Sequence, residues 1–271
     1  MLALLRRKLI LEELRAKGGV RLTELSEELA VSEMTVRRDL DALQKDGLIE
    51  RVHGGAVLAQ YGTEEPGFEK KVLREQDEKA AIADRAAGLV KPGSAVALSA
   101  GTTTCALASR LSSLEGLTVV TNSMNVWNEL HHAGSKGTTV ILTGGEFRTP
   151  SDALVGPTAD ASIRSLYFDV LFLGVHGLDP VAGLTTPNIS EAETNRTFIS
   201  RCRRVVVVAD HTKWRTTALC TMADLSDVDT LVTDDGLPEE ARRQLRNQIG
   251  DVVIAPRRVS DVTRVGGSDN F

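Results

Sequence analysis

The sequence has few of the residues that build disulfide frameworks or metal centres. Its three cysteines, Cys105, Cys202 and Cys220, form no CxxC pair and are odd in number, which suits a reducing cytoplasm better than a disulfide framework. No group of histidine, cysteine and carboxylate residues has metal-ligand spacing, and the adjacent His131 and His132 do not share a helical face. We therefore expect neither a metal ion nor a cofactor.

Long apolar runs and nucleotide or hydrolase motifs are also missing. The longest clean apolar run covers residues 205–209, far short of the roughly 20 residues that a membrane-spanning helix needs. Residues 6–8 are all basic, so the first ten residues lack the apolar core of a signal peptide. The sequence has no GxGxxG, Walker A or GxSxG motif. We expect a cytoplasmic protein without a membrane segment.

The chain has no basic excess. Its 271 residues include 32 lysines and arginines and 37 aspartates and glutamates, which gives a net charge of −5. Residues 1–58 hold ten basic and ten acidic residues, so the acidic excess lies wholly in the remainder. Any contact with DNA must therefore come from the placement of individual arginines rather than from bulk charge.

What the first 58 residues do have is helical periodicity followed by a glycine-containing hairpin. The apolar positions of three predicted helices are Leu5, Leu9, Ile10 and Leu14, then Leu22, Leu25 and Leu29, then Val36, Leu40 and Leu43. The third helix begins after Ser32, a good N-cap, and ends at Gly47. Residues 48–57 alternate around Gly54 as the wing of a winged helix does. This order predicts a winged helix–turn–helix domain.

The third helix presents the residues that we expect to contact DNA. Its apolar face leaves two adjacent arginines outside, and its first turn carries hydroxyl groups beside backbone amides. Arginine pairs bidentately with guanine, worth roughly 1–3 kcal/mol of base discrimination, and hydroxyls suit phosphate oxygens. Such arginines are most often a solvated face, but here a wing hairpin accompanies them. The predicted DNA-binding residues are Ser32, Thr35, Arg37, Arg38, Arg51 and His53.

The run VSEMTVRRDL, followed by RVHGGA, resembles the winged helix of the DeoR family of bacterial transcriptional regulators. The matching residues are Leu25, Leu29, Val31, Ser32, residues 35–40, Leu43, Gly47, Arg51 and residues 53–56. The resemblance implies a protein that binds operator DNA. Because a single recognition helix is a small interface, we expect a homo-oligomer, either a dimer or a tetramer.

From about residue 68 the pattern alternates between strands and helices, starting with a helix predicted over residues 68–90. Short runs rich in β-branched residues predict a mostly parallel sheet covered on both faces. They cover residues 95–99, 117–121, 138–142, 170–173, 205–209, 231–233 and 252–255. The predicted α/β chain has a winged helix–turn–helix domain at 1–58, a linker at 59–75, an effector-binding domain at 76–258 and a flexible tail at 259–271.

Polar residues follow several of these strands. Residues 100–104 place a glycine and three threonines at a helix start, where the macrodipole favours an anion such as phosphate. In a parallel sheet such junctions share the edge at which ligands bind, although each alone is also explained as an ordinary cap or turn. The predicted phosphate-binding residues are Gly101, Thr102, Thr103, Thr104, Asn122, Ser123 and Lys213.

Other junction residues are candidates for contacts to sugar hydroxyls. Asp210 follows the strand at 205–209 and can bind hydroxyls or cap the next turn. His176 follows another strand, and a lone histidine is more often structural than a ligand. The predicted sugar-binding residues are Gly145, Asp152, His176 and Asp210.

These features are also similar to the C-terminal half of the DeoR family, whose fold resembles ribose-5-phosphate isomerase and which binds phosphorylated sugars. The matching residues are 101–104, 121–123, Gly144, Gly145, Gly156, Gly174, Gly177, Glu191, Asp210 and Lys213. Many members have an aspartate before the phosphate loop, where this chain has Ser99. The phosphate site is expected to survive this difference, while the contacts to sugar hydroxyls are expected to differ.

The expected function is therefore a DNA-binding transcriptional regulator that a phosphorylated sugar releases from its operator. The residues alone do not distinguish repression from activation, and the resemblance implies repression of sugar metabolism genes. The alternative is a sugar-phosphate isomerase-like enzyme with an accessory DNA-binding domain, which needs a general base beside a carbonyl carbon. Asp210, Asp152 and Lys213 are candidates, but nothing marks them as a catalytic set, so we expect no enzymatic activity.

Overall fold

The computed structural model describes residues 2–17, 19–45, 48–52, 54–58, 67–133, 137–148 and 150–257. The chain divides into two compact units, Met1–Gly62 and Thr63–Phe271. Residues 59–66 of the predicted linker and the predicted tail at 259–271 lie outside the described residues. The four domain bounds given above stay predictions.

The N-terminal unit packs three helices against a small antiparallel sheet. Its elements are α1 Ala3–Lys17, β1 Gly19–Arg21, α2 Leu22–Glu28, α3 Glu33–Lys45, β2 Ile49–Val52 and β3 Gly55–Leu58. β3 pairs with both β2 and β1, and the pairing with β1 gives the predicted two-stranded wing a third strand. Gly55 is needed in β3 because a Cβ there would lie 2.0 Å from the carbonyl oxygen of Val20.

The core of this unit follows the predicted helical periodicity. The apolar face of α3, formed by Val36, Leu40 and Leu43, is buried against α1 and α2. In α1 the buried positions are Ile10 and Leu14, whereas Leu5 is exposed because it lies on the outer side of the helix. The predicted end of α3 at Gly47 lies outside the described residues.

The C-terminal unit is built on a seven-stranded parallel sheet. Its strands are β4 Ala95–Leu98, β5 Thr118–Thr121, β6 Thr139–Leu142, β9 Val170–Gly174, β12 Val205–Val208, β14 Thr230–Asp234 and β15 Asp251–Ala255. Their order is β15-β14-β12-β9-β4-β5-β6, and every pair is parallel, which confirms the seven predicted strands and the fold class. The strand order reverses direction between β4 and β9, and such a switch point opens a crevice at the carboxyl ends of the strands.

Helices and two smaller sheets surround this sheet. The helices are α4 Phe68–Val72, α5 Gln76–Ala87, α6 Thr102–Leu111, α7 Met124–His132, α8 Pro157–Arg164, α9 Ile189–Ile199 and α10 Glu239–Arg246, with short 3-10 helices at His211–Lys213 and Leu225–Asp227. The small antiparallel sheets join β7 Glu146–Arg148 to β8 Ala153–Val155, and β10 Gly177–Asp179 to β11 Gly183–Thr186 and β13 Cys220–Ala223. Within the described ranges, no helix is long and apolar enough to cross a membrane.

The single helix predicted over residues 68–90 is wrong, because the chain forms two helices there. α4 ends at Val72 and α5 begins at Gln76. Between them Glu75 has a φ of 48°, a left-handed conformation that interrupts an α-helix. At the break, the side chain of Lys79 donates to the backbone carbonyls of residues 71 and 74.

Candidate functional site

The first turn of α3 is held by paired hydroxyl groups. The Thr35 amide donates to Ser32 Oγ at 3.3 Å, and the two hydroxyl oxygens lie 3.0 Å apart. Ser32 therefore caps the helix as predicted. The exposed side chains of Met34, Arg38 and Lys45 are spaced so that they share the face of α3 opposite its buried face. This face points away from the rest of the N-terminal unit.

The three predicted arginines differ in how they are engaged. Arg37 pairs with Glu33 at 3.7 Å, and Arg51 on the wing pairs with Asp41 of α3 at 2.7 Å. Arg38 is exposed and makes no hydrogen bond or ion pair with any residue that the structure describes. Its guanidinium is thus available for a base edge, while Arg51 also braces the wing against α3. His53 lies outside the described residues.

Met34 is a further exposed residue of α3 that was not among the predicted DNA-binding residues. Its side chain is 60% exposed in the first turn of α3. An apolar side chain off the buried stripe of a recognition helix suits contact with the methyl group of thymine. The signal was present in the sequence, because Met34 does not fall on the period of Val36, Leu40 and Leu43.

A buried ion pair anchors α3 from its inner side. Asp39 is 2% exposed, and its carboxylate accepts from Arg6 Nε at 2.5 Å and from Arg7 Nε at 3.2 Å. Both arginines come from α1. Asp39 therefore fixes the recognition helix to the rest of the N-terminal unit, a role that the sequence alone did not indicate.

Residues 100–104, which we call the glycine–threonine loop, lie at the switch point between β4 and β9. Ser99 is fully buried, and its hydroxyl oxygen accepts the Gly174 amide of β9 at 3.0 Å. A Cβ at Gly101 would lie 3.8 Å from the Cα of Gly174, so the two backbones approach closely. The Thr104 hydroxyl donates to the Gly101 carbonyl at 2.9 Å and closes the loop. Ser99 thus ties the two strands together beneath the loop.

The amides at the start of α6 face the carboxyl edge of the sheet. The first amides of a helix have no intrahelical acceptor, and they favour a bound anion. Thr102 is half-buried there, and Thr103 is buried. Thr102 and Thr103, unlike Thr104, have hydroxyls with no hydrogen-bond partner among the described residues.

Asn122 and Ser123, two predicted phosphate-binding residues, both use their side chains in hydrogen bonds within the fold. Asn122 accepts the Ala100 amide at 2.9 Å through Oδ1 and donates to the Leu154 carbonyl at 3.1 Å through Nδ2. Ser123 caps α7 by accepting the Val126 amide at 3.2 Å. Both side chains are buried and engaged, so a direct contact of either with phosphate stays a prediction.

Asp210 and Lys213 lie at the carboxyl end of β12, beside β9. The buried Asp210 carboxylate accepts the Thr212 amide at 3.0 Å and also the Thr212 hydroxyl. Burial alone would raise the pKa of Asp210, but the charge of Lys213, the hydrogen bonds of Thr212 and the charge of Lys79 outweigh it and lower the pKa. Asp210 is therefore an ionised capping residue with two lysines in its field.

Of the remaining predicted sugar-binding residues, Gly145 follows β6, His176 follows β9, and Asp152 lies in the turn before β8. Gly145 is close to Val155, since a Cβ there would lie 2.6 Å from the Val155 carbonyl oxygen. Asp152 has a φ of 51° and accepts from Asn125 Nδ2 at 3.0 Å. The His176 amide donates to the Thr185 carbonyl at 3.1 Å. Gly145 and His176 thus lie after the carboxyl ends of strands of the parallel sheet, as the glycine–threonine loop does, and the contact of all three residues with a sugar stays a prediction.

A buried group of hydrogen bonds around one carboxylate, that of Glu191, was not predicted as a site. Glu191, at the start of α9, accepts from Arg148 at 2.9 Å, from Thr186 at 3.1 Å and from the Ser151 hydroxyl. These contacts join β7, β11 and the turn before β8 to α9. Glu191 had been matched only through the family resemblance. Among the described residues, no group of three or more histidine, cysteine or carboxylate side chains is placed to hold a metal ion.

His211 and Asp234 form a second buried pair at this edge. His211 Nδ1 lies 2.8 Å from Asp234 Oδ2, and the His211 amide donates to Oδ1 at 2.7 Å. Burial alone would lower the pKa of His211, but the hydrogen bond and charge of Asp234 raise it. Burial alone would raise the pKa of Asp234, but His211 lowers it. The pair therefore favours a protonated histidine against an ionised carboxylate.

Because of this pair, the stability of the C-terminal unit is expected to fall in a pH window that begins near 6.5, the ordinary pKa of histidine, and extends upward through the raised pKa of His211. A raised histidine pKa stabilises the fold fully below the unfolded value of about 6.5 and loses that contribution as the pH rises through the folded value. The hydrogen bond to a charged partner is worth about 1.5–3 kcal/mol. The Asp234 contribution is lost only on acidification, because its pKa is lowered. Thermal unfolding of wild type and His211→Gln across this window measures the difference.

The control is His132→Gln, which removes an exposed histidine of α7. It should keep the wild-type pH dependence, whereas His211→Gln should flatten it. Equal pH dependence in His211→Gln and wild type would mean that the pair contributes no linked stability.

A winged helix–turn–helix unit, joined to a doubly wound α/β unit with polar residues at its switch point, defines a two-domain DNA-binding regulator. Two family models match the chain: the DeoR-like helix-turn-helix domain over residues 6–61 and the DeoR C terminal sensor domain over residues 74–235. The chain belongs to the DeoR family of transcriptional regulators, as the sequence predicted.

Curated relatives match nearly the whole chain. The HTH-type transcriptional regulator GlpR of Haloferax volcanii is 37% identical over 91% of this chain and 96% of its own length. The glycerol-3-phosphate regulon repressor of Escherichia coli K12 is 34% identical over 83% and 88%. The transcriptional repressor AccR of Agrobacterium fabrum is 34% identical over 87% and 93%. Ribose 5-phosphate isomerase A of Methanocaldococcus jannaschii aligns over 52% of this chain and 55% of its own, with a TM-score of 0.38 and 15% identity.

Proposed function

We propose that this protein represses sugar metabolism genes by binding operator DNA and that a phosphorylated sugar in the C-terminal unit releases it. Family membership carries the regulatory function and DNA binding. The observation that supports the effector is the glycine–threonine loop at the switch point between β4 and β9, with Lys213 at the end of the neighbouring β12. The alternative of an isomerase has no comparable support, because Asp210 is engaged as a cap.

The proposed phosphate contacts come from the amides of residues 102–104 and from the ammonium of Lys213. Helix amides and a lysine point charge together neutralise a phosphate dianion. The proposed sugar contacts come from the edge formed by Gly145, Asp152, His176 and Asp210. The family name of a sensor domain supports this division between a DNA-reading unit and a ligand-binding unit.

Release requires that the effector bind the DNA-free form more tightly than the DNA-bound form. Couplings of this kind are typically about 1–3 kcal/mol, which weakens operator binding roughly 5–150-fold. The coupling is reciprocal, so operator DNA should weaken effector binding by the same factor. The protein is proposed to act as a homo-oligomer, since paired recognition helices are needed for a specific interface.

The experiment is a thermal-shift screen of the full chain against phosphorylated sugars and their unphosphorylated parents. Ligand binding stabilises the folded state by mass action, by about 2.7 kcal/mol at one hundred times Kd. Phosphorylated compounds should raise the unfolding temperature and release a selected operator duplex in a gel shift at fixed salt. A screen in which no phosphorylated sugar does either would refute the proposed effector class.

The variant Lys213→Ala is expected to weaken binding of the stabilising compound roughly 10–150-fold, since a hydrogen bond to a charged group contributes about 1.5–3 kcal/mol. Operator binding without effector should stay unchanged. The matched control is Lys91→Ala, an exposed lysine before β4, at the opposite edge of the sheet. Titration calorimetry measures both affinities. Equal loss in the two variants, or loss in neither, would mean that Lys213 does not contact the phosphate.

A further inference from the structure

Lys79 is a buried lysine on the apolar side of α5. Lys79 is 7% exposed and lies on the same face of α5 as the buried residues Ile82, Ala83 and Ala86. Burying an ammonium group is costly unless its N–H groups find acceptors. Nζ of Lys79 donates to the carbonyl oxygens of Lys71 and Arg74. The side chain thus holds the end of α4 and the turn after it.

The ammonium of Lys79 also lies in the field of the proposed effector site. Asp210 attracts it and Lys213 repels it, and nearby Glu75 and Arg74 act in opposite directions. No carboxylate of the described residues lies in ion-pair contact with Nζ. Burial lowers the pKa of Lys79 to about 8. The negative charge of a phosphate bound beside Lys213 would therefore act on the ammonium group of Lys79, which has no carboxylate partner among the described residues.

The segment held by Lys79 is where the described part of the C-terminal unit begins. Residues 67–75 are the described part of the predicted linker, and α4 lies beside α6, whose first turn carries the glycine–threonine loop. Lys79 thus donates to the first turns of the unit and feels the charges of Asp210 and Lys213, and its helix α5 contacts β12, the strand that precedes Asp210. A purely structural lysine would hold those turns equally with and without a ligand.

We propose that Lys79 is a positioning residue that transmits effector binding from the Asp210–Lys213 edge to residues 71–75. A phosphate beside Lys213 offsets the repulsion from that lysine and strengthens the hydrogen bonds of Lys79 to the two carbonyls. Residues 71–75 become more ordered at the point where the chain comes from the DNA-binding unit. This inference rests on the proposed function, since it requires an anion at that edge.

The test follows amide hydrogen exchange of residues 68–79 in the full chain, with and without inorganic phosphate at constant ionic strength set by chloride. In wild type, phosphate is expected to slow exchange about fivefold or more, the lower end of typical couplings. Lys79→Met should exchange fast in both conditions, while its phosphate-induced thermal shift stays, because binding itself is intact. Lys91→Met should match wild type.

A second variant separates the charge from the hydrogen bonds. Lys79→Gln keeps an N–H donor without the charge, so it should fold, hold the segment partly and lose the response to phosphate. A lysine with a structural role alone would leave that response in Lys79→Gln. This variant also decides the matter if Lys79→Met fails to fold.

Two results would overturn the inference and leave the proposed function standing. One is a wild-type response to phosphate in both Lys79 variants. The other is a phosphate-induced thermal shift of wild type that depends on Lys213, without any change in exchange of residues 68–79. Absence of a thermal shift with phosphate and with every phosphorylated sugar would instead refute the proposed effector site, and the inference with it.

Discussion

Replacing Asp39 with alanine is expected to unfold the N-terminal unit and abolish operator binding. The buried Asp39 carboxylate of α3 forms ion pairs with Arg6 and Arg7, and the side chain of Arg6 is only 11% exposed. Removing one partner of a buried ion pair typically costs about 3–5 kcal/mol, because the remaining charges lose their compensation. A unit of about 60 residues has a total stability of only roughly 3–9 kcal/mol. Most of that stability would be lost.

Thermal unfolding followed by circular dichroism, together with a gel shift, measures this effect. The C-terminal unit of the Asp39→Ala variant should keep its own unfolding transition and its thermal shift with ligand. The control is Asp41→Ala, two residues along α3, which removes an exposed carboxylate paired with Arg51. Surface pairs contribute about 0–1 kcal/mol, so this variant should unfold close to wild type. Operator binding by Asp39→Ala at wild-type affinity would contradict the anchoring role.

The parallel sheet was predictable because its strands carry their own signal. Buried parallel strands are short runs of β-branched residues, as in β12 at Val205–Val208, and polar junctions separate them. The small sheets gave no such signal. β7 and β10 have three residues each, and β11 pairs with β13, more than 30 residues farther along. Strands this short are fixed by long-range pairing rather than by local pattern.

The break between α4 and α5 shows the limit of local propensity. Residues 72–78 contain neither glycine nor proline, and most are good helix formers. The structure nevertheless places Glu75 in the left-handed region and turns the carbonyls of Lys71 and Arg74 toward Lys79. A tertiary contact, the burial of a lysine that needs acceptors, accompanies the break. The only indication in the sequence that Lys79 faces inward is its helical spacing from the apolar residues Ile82, Ala83 and Ala86.

The meeting of the polar junctions at one edge of the sheet was predictable, but the hydrogen bonds of their side chains were not. Parallel strands bring their carboxyl ends to one edge, so the junctions after β4, β5, β9 and β12 had to meet there. Whether a junction residue faces a ligand or braces the fold depends on distant partners. Asn122, for example, donates to Leu154, a contact that no local pattern indicates.

In the DNA-binding unit, the sequence identified the arginines of α3 but not their relative freedom. Arg37 and Arg38 are adjacent in the sequence, yet only Arg37 has an acidic partner among the described residues. The i,i+4 spacing of Glu33 and Arg37 was visible in the sequence, and it favours such a pair. That Arg38 is exposed together with Met34 and Lys45 became visible only from the way α3 packs against α1 and α2.

Replacing Arg38 with alanine is expected to remove most of the sequence specificity of operator binding. A bidentate arginine contributes roughly 1–3 kcal/mol of discrimination at its base pair. If the proposed homo-oligomer places two subunits on paired half-sites, the loss doubles to about 2–6 kcal/mol, or roughly 30-fold to 10⁴-fold in affinity. The N-terminal unit should stay folded, because Arg38 is exposed and makes no hydrogen bond or ion pair within the described residues. A duplex selected from a random library by the wild-type protein serves as operator.

Gel shifts on this duplex and on a scrambled one, at a single salt concentration, separate specificity from charge. Lys8→Ala is the matched control, since it removes one exposed positive charge from α1 of the same unit. Loss of a charge alone weakens both duplexes alike, whereas loss of a base contact weakens the operator and spares the scrambled duplex. Arg38→Ala should bring the two affinities close together, and Arg38→Lys should restore little, because lysine cannot form the bidentate pair. Parallel weakening of both duplexes would show that Arg38 contacts phosphate rather than a base.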